Sequence, residues 1–262
     1  MRMKPFPIWL LHKDTKLISD NISTSGSSGK LDGLGEHTSI AAVVNFVENC
    51  LPEFADRYKK SSIENEEGLN QILCMLLNAY ARENSYPFAF QSDYREEPES
   101  GNSFKPDFGA IPSSISGAII ESAYYPFDKS FFSLEAKRLY NTSGQREKEY
   151  LIGRKENGKY IDCGGVERFK KGIHGRELHH CGMIGYVQKN DFEYWHRKIN
   201  LWVDELIASN NNSTVQWTDK DKLIKKSVCS TTAKYISNNS RGNGNNITLY
   251  HLWVNFITGR LD

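Results

Sequence analysis

The residues best equipped for chemistry lie in two short runs. Phe104-Lys105-Pro106-Asp107-Phe108 sets a carboxylate directly after a proline inside a strand-like stretch, and Phe131-Phe132-Ser133-Leu134-Glu135-Ala136-Lys137 ends an apolar run in Glu-x-Lys. Strand alternation puts Glu135 and Lys137 on one face. Burying one charge on a core strand is costly, and burying several without partners is more so. A face holding Asp107, Glu135 and Lys137 makes physical sense if a divalent cation neutralises the acids. Oxygen donors from two carboxylates, a main-chain carbonyl and water suit Mg2+, with Mn2+ as a substitute. Lys137 would then stand near a metal-bound water and a scissile phosphate. There it could orient the water, deprotonate it, or stabilise charge growing at phosphorus. The plainer alternative is a surface aspartate and an ordinary Glu/Lys pair at strand ends.

Positioning these groups requires a sheet with helices around it. The strongest periodicity in the chain spans residues 62–82, where Leu69, Ile72, Leu73, Leu76, Leu77 and Tyr80 recur at helical spacing. A helix is also expected over 38–57, after a Ser/Gly-rich loop at 20–35. Strands are expected over 85–97, 104–111, 117–123, 131–136 and 181–188. The polar, basic segment 143–175 should hold one or two helices. Residues 191–209 read as a helix with Trp195, Ile199, Trp202, Val203 and Leu206 on one side, ended by the Asn-rich break 210–213. Strands at 233–237 and 247–256 flank the Asn/Gly-rich turn 238–246, a hairpin at the sheet edge or against nucleic acid. This order indicates a mixed α/β domain.

The pattern resembles the PD-(D/E)xK nuclease superfamily, the restriction-endonuclease-like fold, through Pro106-Asp107 followed by Glu135-Ala136-Lys137. The order of helix, Asp-bearing strand, Glu-x-Lys strand, basic helix and further strand is similar to the family's αβββαβ core. It covers roughly residues 62–188. The gap between the acids is long for the family, so 113–129 must be an insertion or an extra hairpin. The resemblance implies that Asp107 and Glu135 bind Mg2+, that Ala136 gives it a backbone carbonyl, and that Lys137 assists the attacking water. It also implies a glutamate on the first core helix facing the metal. Glu64, Glu66 and Glu67 are the candidates, and Glu66 is favoured because it shares the wheel sector of Leu73, although all three would suit a helix N-terminus through its dipole.

Around this core, Arg168, Lys170, Lys171 and His174 lie in a Gly-bounded helical segment, 164–175, and would reach a phosphate backbone. Gln145 and Tyr150 are weaker substrate candidates that resemble residues of exonuclease-type relatives. Cys163, His174, His179, His180 and Cys181 are zinc-ligand types without zinc spacing. Trp195, Trp202, Trp217 and Trp253 could stack on bases, but Trp195 and Trp202 stand seven residues apart in aliphatic company, which favours core packing.

Composition frames these expectations. The 262 residues carry 33 Lys+Arg against 32 Asp+Glu, a net charge of +1, which excludes a strongly basic arm or an acidic tail. Charge is nonetheless uneven, with 11 acids and 6 bases over 51–107 but 11 bases and 5 acids over 137–176. That layout suits a cation site beside a polyanion surface, or two solvated faces. Hydrophobic content of 39% and aromatic content of 12% support a buried core. No apolar run reaches the ~20 residues of a membrane helix, and the first residues lack the layout of a signal peptide. Five scattered cysteines fit a reducing cytoplasm better than a disulfide framework.

The expectation is therefore one nuclease domain over 1–262: a loop and helical extension (1–61), a catalytic core (62–188), and a C-terminal helix and β-hairpin (189–262). Its central mixed sheet would be flanked by helices. It would cut nucleic acid, DNA before RNA, with Mg2+. The resemblance further implies an effector in an anti-phage defence or restriction system, with a regulatory or sensor protein partner or a homo-oligomeric assembly. The competing reading is a non-catalytic nucleic-acid-binding or scaffold subunit that keeps the fold.

Overall fold

The computed structural model describes residues 37–58, 63, 65–96, 105–140, 145–209, 215–242 and 244–257, all within one unit, 35–262. The expected loop 20–35 and break 210–213, and Glu64, lie outside these residues.

Helix α1 (Ile40–Tyr58) buries Val43, Val47, Leu51 and Phe54, and helix α2 (Glu66–Glu83) buries Leu69, Leu73, Leu76 and Leu77. The start of α2 is fixed by Asn65, whose side chain accepts the Gly68 N–H at 2.7 Å and so satisfies one orphan donor of the first turn. Glu66 is thereby the first residue of the helix, one turn ahead of the buried stripe.

The strands in chain order are β1 (His37–Thr38), β2 (Phe88–Ser92), β3 (Phe108–Pro112), β4 (Ala118–Ile120), β5 (Ala123–Tyr125), β6 (Phe132–Leu139), β7 (Arg154–Glu156), β8 (Lys159–Ile161), β9 (His180–Val187), β10 (Ile224–Val228), β11 (Thr232–Ser240) and β12 (Asn246–Asn255). Seven of them form one mixed sheet in the order β2-β3-β6-β9-β12-β11-β10. The β2/β3 and β3/β6 pairs are antiparallel, β6/β9 and β9/β12 are parallel, and β12/β11 and β11/β10 are antiparallel.

Alternation along the central strands divides the core in two. Phe132, Leu134, Ala136, Ile184, Tyr186, Leu252 and Val254 face α1 and α2. Met183, Val187, Leu249 and Trp253 face the other layer. That layer contains α3 (Gly165–Lys170) and α4 (Phe192–Ala208), with Trp195, Ile199, Trp202 and Val203 buried in it. Trp195 and Trp202 are thus core residues, as their spacing predicts, and Trp217 and Trp253 are buried in the same layer.

Four local outcomes matter for the site. Residues 113–129 form the β4–β5 hairpin, which joins β1 in a separate three-stranded sheet. The segment 143–175 holds two helical pieces, a 3-10 helix (Gln145–Tyr150) and α3, with the unexpected β7–β8 hairpin between them. The hairpin turns at Asn157-Gly158, both at positive φ (51° and 78°), the Asn-Gly chemistry of a tight β-turn. The terminal hairpin does not cap an edge; β12 lies in the sheet's interior, paired on its other side with β9 over Thr248–Asn255. The edge strand there is β10, whose five exposed residues carry no alternation to betray it. At the opposite edge, the Asn78 amide pairs with Phe90, accepting its N–H at 2.8 Å and donating to its carbonyl at 2.7 Å.

Candidate active site

The site forms where β3 and β6 part. Their pairing ends at Phe108 opposite Leu134, because buried Pro106 has no N–H to continue the ladder, while β6 runs on beside β9 to Leu139. The N–H groups of β6 beyond that point are met by side chains instead of a strand. Asp107 Oδ2 accepts the Ala136 N–H at 2.7 Å, and Glu66 Oε2 accepts the Arg138 N–H at 3.2 Å. Two carboxylates distant in sequence are thereby drawn to the strand that carries Glu-x-Lys.

Glu135 and Lys137 share a face, as alternation requires. The Lys137 Nζ lies 3.0 Å from Glu135 Oε1 and 3.0 Å from Glu66 Oε1, with Glu135 1% and Lys137 9% exposed. Glu67, in contrast, is exposed, so Glu66 is the helix glutamate that faces this cluster. Burial alone would depress the Lys137 pKa, but Glu135, then Glu66 and Asp107, outweigh it and hold the ammonium above the usual lysine range. Burial, reinforced by the charges of Glu135 and Glu66, pushes the Asp107 carboxyl well above the usual range despite Lys137 and the Ala136 N–H. For Glu135 burial acts upward too, yet Lys137, His174 and Arg168 more than offset it and hold the group well below the ordinary carboxylate value.

The third side of the cluster comes from α3 and the loop behind it. Arg168 Nη1 lies 3.0 Å from Glu135 Oε1, and its Nε donates to the Asp162 carbonyl at 2.8 Å. His174 is fully buried, with Nε2 3.3 Å from Glu135 Oε2. Glu135 Oε2 and His174 Nδ1 are buried atoms that take no hydrogen bond from any described residue. The loop is held from outside by Arg241, which donates to the carbonyls of Phe169, Arg176, Leu178 and Gly175 at 2.6–3.0 Å. Arg241 belongs to the turn 238–246, expected at the sheet edge or against nucleic acid; it is 6% exposed and structural.

Other expected contacts are distributed differently. Lys170 is not on a phosphate-facing surface: it is 1% exposed, paired with buried Asp221, and 4.9 Å from the Trp217 ring. Lys171 is partly buried between Asp162 and Glu167, at 2.9 and 3.0 Å. Gln145 opens the 3-10 helix. Tyr150 is a core residue, its hydroxyl 2.8 Å from His251 Nδ1 and accepting from Trp253 Nε1 at 2.8 Å. Burial drives the His251 pKa down to about 3, so this network is neutral. The zinc-type residues do not gather: Cys181 is a buried core thiol and Cys163 lies near Arg154. Among the described residues no three His, Cys, Asp or Glu converge closely enough to hold a metal ion.

In kind, the donors do suit a hard cation. The carboxylates of Glu66 and Asp107 both reach β6 beside Glu135, and Glu135 Oε2 is a buried oxygen without a hydrogen bond. Lys137 supplies the cationic charge between Glu66 and Glu135. Comparisons with protein-family models, curated proteins and solved structures find no match for this chain. No helix among the described residues is long and apolar enough to cross a membrane.

Proposed function

We propose that the chain is a Mg2+-dependent nuclease of restriction-endonuclease-like fold that hydrolyses phosphodiester bonds, with DNA as the preferred substrate. The observation that carries this reading is the meeting of Glu66, Asp107, Glu135 and Lys137 where β3 and β6 separate. Further support comes from the connectivity α2-β2-β3-β6-α3-β9, with two antiparallel pairings followed by a parallel one reached through α3. This is the arrangement an αβββαβ core requires.

Asp107, Glu135 and Glu66, which do not stand close enough to grip an ion as they are, would hold the metal once it drew them together, with the Ala136 carbonyl as a further donor. Bound there, Mg2+ would acidify a coordinated water and offset charge on the phosphoryl oxygens. The protein's own part is to exclude bulk water from Glu135 and to set cations beside the acids. Lys137, held between Glu135 and Glu66, would orient the water and stabilise negative charge growing at phosphorus. Arg168 is the second cation at the site and a natural partner for a phosphate oxygen.

Purified protein should be incubated with supercoiled plasmid, linear duplex, single-stranded DNA and RNA, in Mg2+ or Mn2+ against EDTA. Metal-dependent cutting is expected, and Asp107→Ala and Lys137→Ala should each lower it by at least ~10²-fold. Absence of cutting together with no calorimetric Mn2+ binding would sink the reading. Cutting that survives both substitutions would move the chemistry elsewhere in the chain.

A further inference from the structure

One carboxylate beside this corner has no part in the scheme above. Glu96 lies beyond the end of β2, and its Oε1 accepts the Ser133 hydroxyl at 2.7 Å. Both of its oxygens lie 2.8 Å from the Gly175 backbone nitrogen. Ser133 stands two residues before Glu135 on the same face of β6, and Gly175 directly follows His174. Glu96 therefore links the strand that carries Glu135 to the loop that carries His174. Gly175 is held from its other end as well, giving its carbonyl to Arg241 Nη2 at 2.6 Å. Its φ of +58° and its closeness to Cys181, whose Sγ would lie 2.5 Å from an added Cβ, leave room for glycine alone.

We propose that Glu96 is a positioning residue: it fixes loop 171–178 against β6 so that His174 Nε2 and Arg168 Nη1 stay on the Glu135 carboxylate. Its effect on rate rests on the nuclease reading; its effect on the Glu135–His174 contact does not. Loop anchoring as such is supplied by Arg241, which binds four carbonyls around 169–178. What Glu96 adds is the tie to Ser133, on the face that carries Glu135. Both of its partners are donors, so an acceptor is what the position requires. A glutamine carbonyl oxygen can take both hydrogen bonds, and alanine can take neither.

Glu96→Ala and Glu96→Gln should be compared in metal-dependent cleavage and by 15N NMR of the His174 ring, with Glu135→Gln as the spectral reference. Glu96→Ala is expected to lower kcat roughly 10- to 100-fold with KM little changed, the scale of a misplaced catalytic group. Its His174 resonances should move toward those of Glu135→Gln. Glu96→Gln should restore most of the rate and leave the resonances in place. Wild-type kcat with unmoved His174 resonances in Glu96→Ala overturns the proposal. If Glu96→Ala does not fold, Ser133→Ala breaks half of the link and must lower kcat and shift His174; no change there overturns it equally. If the wild-type protein cuts nothing, the nuclease reading falls by itself and the His174 resonances alone decide the positioning role.

Discussion

At Asp107, burial and two neighbouring carboxylates act in the same direction, so the ionised form is disfavoured in the folded chain. The sign for stability follows. A carboxyl whose folded pKa is raised supports folding below its unfolded value, near ~3.9, and loses that support as pH rises. Glu135 is the reverse: its depressed pKa stabilises the fold above ~4.3 and is lost in acid. Asp107→Asn, which keeps an acceptor for the Ala136 N–H, should therefore stabilise the metal-free protein at neutral pH by about 1 kcal/mol while abolishing cutting. In EDTA the melting temperature should rise by ~2–4 °C, and the gain should vanish toward pH ~4. A lower melting point at neutral pH would show that the charge is well solvated. The main acids and lysine were legible because a proline-terminated strand and a two-residue alternation are local facts. Glu96 was not, since its partners are a serine and a backbone N–H dozens of residues away. Lys170 misled for the same reason: helix position distinguishes neither a wet lysine nor one buried against Asp221.

Elements carry the next layer of the argument. α2 was readable from its leucine stripe, and the wheel angle favoured Glu66, but the expected start at 62 falls short of the Asn65 cap, behind which the helix begins at Glu66. β7 and β8 were missed although Asn157-Gly158 is a strong hairpin signal, because four of their six residues are charged and all but Arg154 are exposed, with no apolar alternation. The loop after α3 was opaque because its conformation is set by Arg241, which reaches it from the β11–β12 turn. Arg241→Ala removes hydrogen bonds to four carbonyls and leaves several of them buried. It should cost about 3–4 kcal/mol, read as a lower midpoint in urea unfolding at unchanged slope. A cost below about 1 kcal/mol would mean that the loop holds itself.

For the molecule as a whole, the α/β class and most strands followed from sequence, but the place of the last hairpin did not. Strand order is a long-range property: β12 pairs with β9 across some sixty residues of chain, and nothing local to either strand announces it. The same sheet must also end somewhere, and its two ends are treated differently. At β10 the outer row is exposed and carries Lys225 and Lys226, charges that discourage a flat approach by another chain. At β2 the closure is chemical, since the Asn78 amide satisfies the outward N–H and carbonyl of Phe90 as a neighbouring strand would. One side chain thus impersonates a strand and denies the position to a real one. Asn78→Ala would reopen it as a template, and the protein should then show concentration-dependent self-association by analytical ultracentrifugation, with new intermolecular β signal in the infrared amide band. A variant that stays monomeric at high concentration would mean that neighbouring side chains alone keep that rim unreceptive.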